Sequence, residues 1–160
     1  KNKKLEFLQD NPIYYYPKTN IKEKKILKSK KFVFHTWPYF NPTSTMAFQR
    51  HFFENFLKEI SFSNKKFETM AIDARAIIYV YFFSKNFKIL NKYLTIYTQN
   101  IEGYTISKYN NKGANWWKRR LEFHNFVQTL FFKKKKTYYK LLDYYLTYII
   151  NLIYKKLRKF

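Results

Sequence analysis

The chain has 160 residues, with 32 Lys or Arg against 10 Asp or Glu, a net charge of +22 and no cysteine. Disulfides and thiolate metal sites are therefore excluded. A chain this basic repels itself until an acidic partner neutralises it, and 23% Phe, Tyr and Trp excludes the polar composition of a disordered basic tail.

The charge is not the property of one tail. Residues 1–83 hold 15 basic side chains against 7 acidic ones, and residues 84–160 hold 17 against 3. Lys outnumbers Arg, Asn, Ile, Tyr and Phe abound, and Gly and Pro are scarce. Residues with A- and T-rich codons have displaced the others, which points to an AT-rich, organelle-encoded gene.

In chain order, Asn11–Pro17 (NPIYYYP) reads as extended, because each proline disfavours helix in the residue before it. Thr19–Lys31 is a Lys-rich surface insertion. Lys31–Trp37 (KFVFHTW) has strand composition and stops at Pro38, and a turn-rich loop runs on to Ser44. The apolar residues of Thr45–Ile60 suit either a helix or a long strand. Asn64 is placed to cap a short helix ending at Ala71. Ala76–Phe83 (AIIYVYFF) is almost continuously apolar and predicts a strand covered on both faces. Tyr93–Thr98 predicts another strand, and Gly103–Gly113 a loop.

A helix over Asn115–Phe132 follows from Trp117, Leu121, His124 and Gln128 in one row, with Trp116, Phe123, Val127, Leu130 and Phe131 on a broad apolar face. A last helix over Thr137–Lys159 is aromatic almost all round, so it needs cover on several sides and implies docking against a partner. The longest apolar stretch, Leu141–Tyr154, contains Asp143 and Asn151 and falls short of the ~20 residues of a membrane span.

Catalytic chemistry has little support. His35, His51 and His124 are far apart and lack metal-ligand spacing. The carboxylates are scattered, and Glu54 and Glu59 lie near Arg50 and Lys58, which suits surface ion pairs. Gly103 and Gly113 alone cannot build a phosphate-binding loop. The expectation is no enzyme and no cofactor.

Cations are more telling. Lys118, Arg119 and Arg120 follow Trp116 and Trp117; Lys133, Lys134, Lys135 and Lys136 join the two last helices; Lys155, Lys156, Arg158 and Lys159 end the chain. Lys18, Lys30, Lys31, Arg50 and His51 complete the candidate RNA-binding set. A solvated charge run is the alternative for each cluster. Interleaving with aromatics favours phosphate contacts, which position a protein on RNA without reading its sequence.

Four pieces in order carry a family resemblance. Asn11–Lys18 (NPIYYYPK) is similar to an extended Gly-Pro-Ile-Pro-Leu-Pro-Thr-Lys segment. Phe32–Pro38 (FVFHTWP) is similar to a strand ending in Ser-Pro. Ser44 and Phe48 follow at matching distances, and Met70–Phe82 (MAIDARAIIYVYF) is similar to a strand of the form Met-x-Leu-Asp-x-x-x-x-Val-x-Val-x-Ile. Together they resemble small-subunit ribosomal protein ten (the NusE family) over somewhat under half of the chain. Three departures stand out. The family lacks the Thr19–Lys30 insertion; its basic Arg-Thr-His-Lys-Arg cluster reads Arg50, His51, Phe52, Phe53, Glu54 here; and its opening strand and helix have no counterpart before Asn11.

The resemblance implies an α+β fold: a partial ferredoxin-like domain over residues 1–83 with a long hairpin, Pro17–Ile60, followed by a mainly helical extension over residues 84–160. It also implies a structural constituent of the mitochondrial small-subunit head, contacting small-subunit rRNA and small-subunit proteins three, nine and fourteen, with no membrane span. The missing half of the family domain predicts that some other segment pairs with the Ala76–Phe83 strand or its neighbour: residues before Lys1 or a different chain, the favoured sources, or the extension itself through Tyr93–Thr98 and a later helix. The alternative is an accessory subunit of a respiratory complex, which suits the terminal helices and leaves the charge unexplained. An RNA-processing enzyme would need an acidic metal-binding cluster that the sequence lacks.

Overall fold

Residues 7–16 run in one direction and break once, at Asp10–Asn11, so that each half becomes the central strand of its own sheet. The computed structural model describes residues 4–24, 41–63, 67–99, 113–137 and 141–157. They form an α+β fold with two mixed three-stranded sheets and four helices, divided into two compact units: Lys1–Asn64 with Ala71–Asn100, and Lys65–Met70 with Ile101–Phe160.

In the first unit, β1 (Phe7–Gln9) lies between β4 (Met46–Phe48), antiparallel, and β5 (Phe87–Ile89), parallel. β2 (Pro12–Tyr16) lies between β3 (Ile21–Lys24), antiparallel, and β6 (Thr95–Thr98), parallel. Pro12 opens its strand, a position where its missing N–H costs no ladder bond. Asn20, with φ of 52°, closes the β2–β3 turn; Asn tolerates this left-handed backbone.

The break between the two sheets is buried and polar. Asp10 accepts hydrogen bonds from the Leu94 N–H (3.0 Å) and the Thr95 hydroxyl (3.1 Å). The Asn11 amide donates to the Leu90 carbonyl (3.0 Å), and the Asn41 amide donates to the Asp10 carbonyl (2.8 Å). The Gln9 amide donates to Thr45 Oγ1 (3.2 Å). Side chains thus satisfy backbone groups that the kink takes out of the ladders.

Two helices cover the first sheet. In α1 (Arg50–Ser63), Phe52, Phe56 and Ile60 recur every four residues and are buried on one stripe. α2 (Ile72–Phe83) is buried without interruption from Ala74 to Val80. Rings join these elements: Phe7–Phe48 (centroids 4.9 Å), Phe48–Phe56 (5.8 Å), Phe56–Tyr79 (5.4 Å) and Tyr79–Phe83 (4.6 Å).

The second unit is an antiparallel helical hairpin, α3 (Ala114–Lys133) and α4 (Leu141–Leu157), with the turn Phe67–Met70 packed on α3. Phe67 meets Phe126 edge-on at 5.3 Å. Glu122 accepts from the Thr69 N–H (2.7 Å) and hydroxyl (2.6 Å).

Several sequence expectations hold: the α+β class, the extended segment at Asn11–Pro17, the strand near Tyr93–Thr98 and both terminal helices. The ambiguous stretch Thr45–Ile60 resolves into strand β4 and then helix α1. Others need correction. Ala76–Phe83 is not a strand but the body of α2, because an uninterrupted apolar run suits a helix buried all round as well as a sheet interior. The short helix expected to end at Ala71 is a turn at Phe67–Met70, closed by the Met70 N–H donating to the Phe67 carbonyl at 3.2 Å. The parallel neighbours of β1 and β2 come from residues 87–98 of the same chain, so the first unit extends to Asn100 rather than ending at residue 83. The long hairpin expected over Pro17–Ile60 is not what its described ends form: the chain turns back at once into β3, β4 pairs with β1, and Arg50–Ile60 is helical. Residues 25–40, with the expected strand Lys31–Trp37, and most of the loop Gly103–Gly113 lie outside the described residues.

Candidate nucleic-acid interface

The β3–β2–β6 sheet places cations beside rings. Its register sets Tyr15 opposite Lys22 and Thr98, and Ile13 opposite Lys24 and Ile96, so alternation brings all six residues to one face. Lys22 Nζ stands 5.8 Å from the Tyr15 ring centroid, and Lys24 Nζ stands 5.4 Å from that of Tyr93. Both lysines are exposed and both rings half-buried. Tyr14 and Tyr97 pair edge-on at 5.6 Å on the opposite face. Lys18, in the exposed turn of the β2–β3 hairpin, adds a cation at its tip. Such a surface offers ammonium groups to phosphate and ring faces to unpaired bases.

A second basic surface follows α3. The helix ends when Lys135 takes φ of 53°, and the Lys136 N–H then donates back to the Phe131 carbonyl at 2.9 Å. This left-handed cap satisfies end-of-helix carbonyls and turns the lysine run outward. Phe132 is 83% exposed, and with Lys133, Lys135, Lys136 and Thr137 it lines an open depression of about 580 Å³. Lys134 is exposed beside them. A bare ring among four ammonium groups again combines stacking and charge.

The remaining expected site residues divide. Lys30 and Lys31 lie outside the described residues. Arg50 and His51 are exposed on the first turn of α1 and share Glu54, at 3.0 Å from Arg50 Nε and 4.0 Å from the His51 ring. Lys118 is exposed and stands 3.9 Å from Glu122, one turn along α3. Arg119 is half-buried.

Arg120 is a correction. It is not part of an outward patch, because it is turned onto α4. It donates to both oxygens of Asp143 at 2.6 and 2.7 Å, donates through Nε to Thr147 Oγ1 at 3.2 Å, and lies 5.4 Å from the Trp116 ring. Its guanidinium holds the hairpin together and is not presented to phosphate. The buried His124 ring lies 3.2 Å from the same carboxylate.

Sequence reasoning missed Tyr15, Lys22, Lys24 and Tyr93. The signal was present as NPIYYYP followed by a lysine-rich segment, but which lysine meets which ring depends on the hairpin register. Among the described residues, no three His, Asp or Glu side chains gather where they could hold a metal. Comparison of the chain with protein-family models, with curated proteins and with solved structures finds no match.

Proposed function

We propose that the protein is a structural, non-enzymatic constituent of the small subunit of a mitochondrial ribosome, held on rRNA through its lysines. The observation that carries this reading is the pairing of exposed lysines with accessible rings on two separate surfaces, one around Tyr15, Lys22 and Lys24 and one around Phe132–Lys136. A net charge of +22 supplies the long-range attraction, and the rings supply contacts that bare charge does not. The resemblance to small-subunit ribosomal protein ten narrows the proposal to the subunit head, with small-subunit proteins three, nine and fourteen as neighbours.

Sucrose-gradient fractionation of mitochondria from the source organism tests it. The protein should co-sediment with small-subunit rRNA and move to the top of the gradient after ribonuclease treatment. Sedimentation with a detergent-solubilised respiratory complex, indifferent to ribonuclease, would sink the proposal. That outcome belongs to the second reading, an accessory subunit, which the exposed apolar face of α4 favours.

A further inference from the structure

α4 is built with its polarity reversed. Its polar side chains Asp143, Thr147 and Asn151 recur every four residues and face α3. There Asp143 pairs with Arg120, Thr147 accepts from the same guanidinium, and the Asn151 amide donates to the Trp117 carbonyl at 2.7 Å. The outward half of the helix is apolar, with Leu142 88% exposed and Leu146, Ile149, Leu152, Ile153 and Leu157 also exposed. A helix hairpin in water buries its apolar stripe and solvates its polar one. Polar residues joining two helices while leucine and isoleucine face outward is the arrangement suited to lipid.

We infer that α4 lies on an anionic membrane surface, with its outward face among the acyl chains at the headgroup boundary. Charge complementarity selects this occupant. Lys133, Lys134, Lys135 and Lys136 precede the helix, and Lys155 and Lys156 stand in its last turn, all exposed. By helical phase Lys156 lies on the apolar side, where its stem can follow the face while the ammonium reaches the phosphates. Basic residues at both ends of an apolar face match an interfacial helix on acidic lipid. A second copy fits worse, because either pairing direction brings lysine clusters against lysine clusters on two chains of net charge +22. RNA fits worse too, since aliphatic side chains offer phosphate nothing. Among the described residues no helix is long and apolar enough to cross a membrane, so the contact is with the surface. The inference goes beyond the ribosomal reading, and either can fail alone: vesicles test this one, ribonuclease-treated gradients the other.

The test is flotation of the purified full-length chain with phosphatidylcholine vesicles and with mixed phosphatidylcholine–phosphatidylglycerol vesicles. A triple variant, Leu142→Asn, Leu146→Asn and Ile153→Asn, keeps the net charge and alters only exposed positions; circular dichroism checks its folding. The wild-type chain should bind the mixed vesicles at least about tenfold more tightly than the neutral ones, at roughly a factor of five per engaged lysine. It should stay partly bound in high salt, because apolar insertion is not screened. The triple variant should lose at least about tenfold in partitioning. Equal binding by variant and wild type would mean adsorption by charge alone and would overturn the inference. So would a wild-type dimer that the triple variant converts to monomer, or failure of the wild type to bind either vesicle.

Discussion

A few single residues decide more than their number suggests. Glu6 accepts from the Ser84 hydroxyl at 2.9 Å and from the Lys85 and Asn86 N–H groups at 2.6 and 3.4 Å, fastening the start of β1 to the turn after α2. Desolvation pushes its carboxyl up, but these donors and the Lys85 charge together outweigh it and hold the pKa below its ordinary 4.5. A carboxylate with a lowered folded-state value contributes stability above the unfolded value. The contribution is therefore complete above pH 4.5 and fades as pH falls through the lowered value. Glu6→Gln should cost about 1 kcal/mol at neutral pH, and the difference from wild type should vanish in strongly acidic buffer, as read by denaturation midpoints. Asp143→Asn should do more. It leaves Arg120, only 15% exposed, without its countercharge, at a cost of roughly 2–3 kcal/mol, below the ~3–5 of a fully buried pair. Amide exchange in α3 and α4 should then accelerate by about two orders of magnitude, and Arg120→Met in the same chain should restore part of the loss. The run Lys133–Lys136 was legible as an exposed basic surface. That Arg120 turns inward was not, because its partner lies 23 residues away on another helix.

Helices and strands differ in how plainly their sequences announce them. α3 was legible because Phe123, Phe126, Val127 and Leu130, all buried, recur three and four residues apart on one stripe. α2 was not, since burial from Ala74 to Val80 is continuous and leaves no period to count. Its interior position makes it sensitive. Ile77→Ala, at a site with no exposure, should lower stability by about 3 kcal/mol in chemical denaturation. The short strand β1 escaped notice for another reason: two of its three residues are buried, and one of those is Gln9, so the usual apolar signal is missing. Lys135 gives the opposite kind of test. It occupies a left-handed cap that favours glycine, so Lys135→Gly should stabilise α3 by about 0.5–1 kcal/mol. The same substitution should weaken RNA binding slightly by removing one cation. A rise in melting temperature paired with a loss of affinity separates the two roles of that position.

The whole molecule behaves first as a polycation. Binding to single-stranded rRNA fragments should weaken with salt along a log–log line whose magnitude grows by about 0.7 per phosphate neutralised. Lys22→Gln with Lys24→Gln should shallow that slope, whereas Tyr15→Ala should leave the slope and lower affinity by about 1–3 kcal/mol at every salt. Identical salt dependence in all three proteins would remove the β3–β2–β6 face from the interface. The parallel ladders have a consequence for how the chain is made. Phe7 pairs with Phe87, and Pro12 with Thr95, so the two central strands must wait for neighbours about eighty positions downstream. During synthesis β1 and β2 leave the exit tunnel first, and each then carries an open edge until β5 and β6 follow. Long-range pairing of this kind is slow, and an open edge recruits whatever strand is nearest. Chains stalled before Asn86 should therefore depend on chaperones and aggregate in vitro, while chains released just after Asn100 should have both sheets closed.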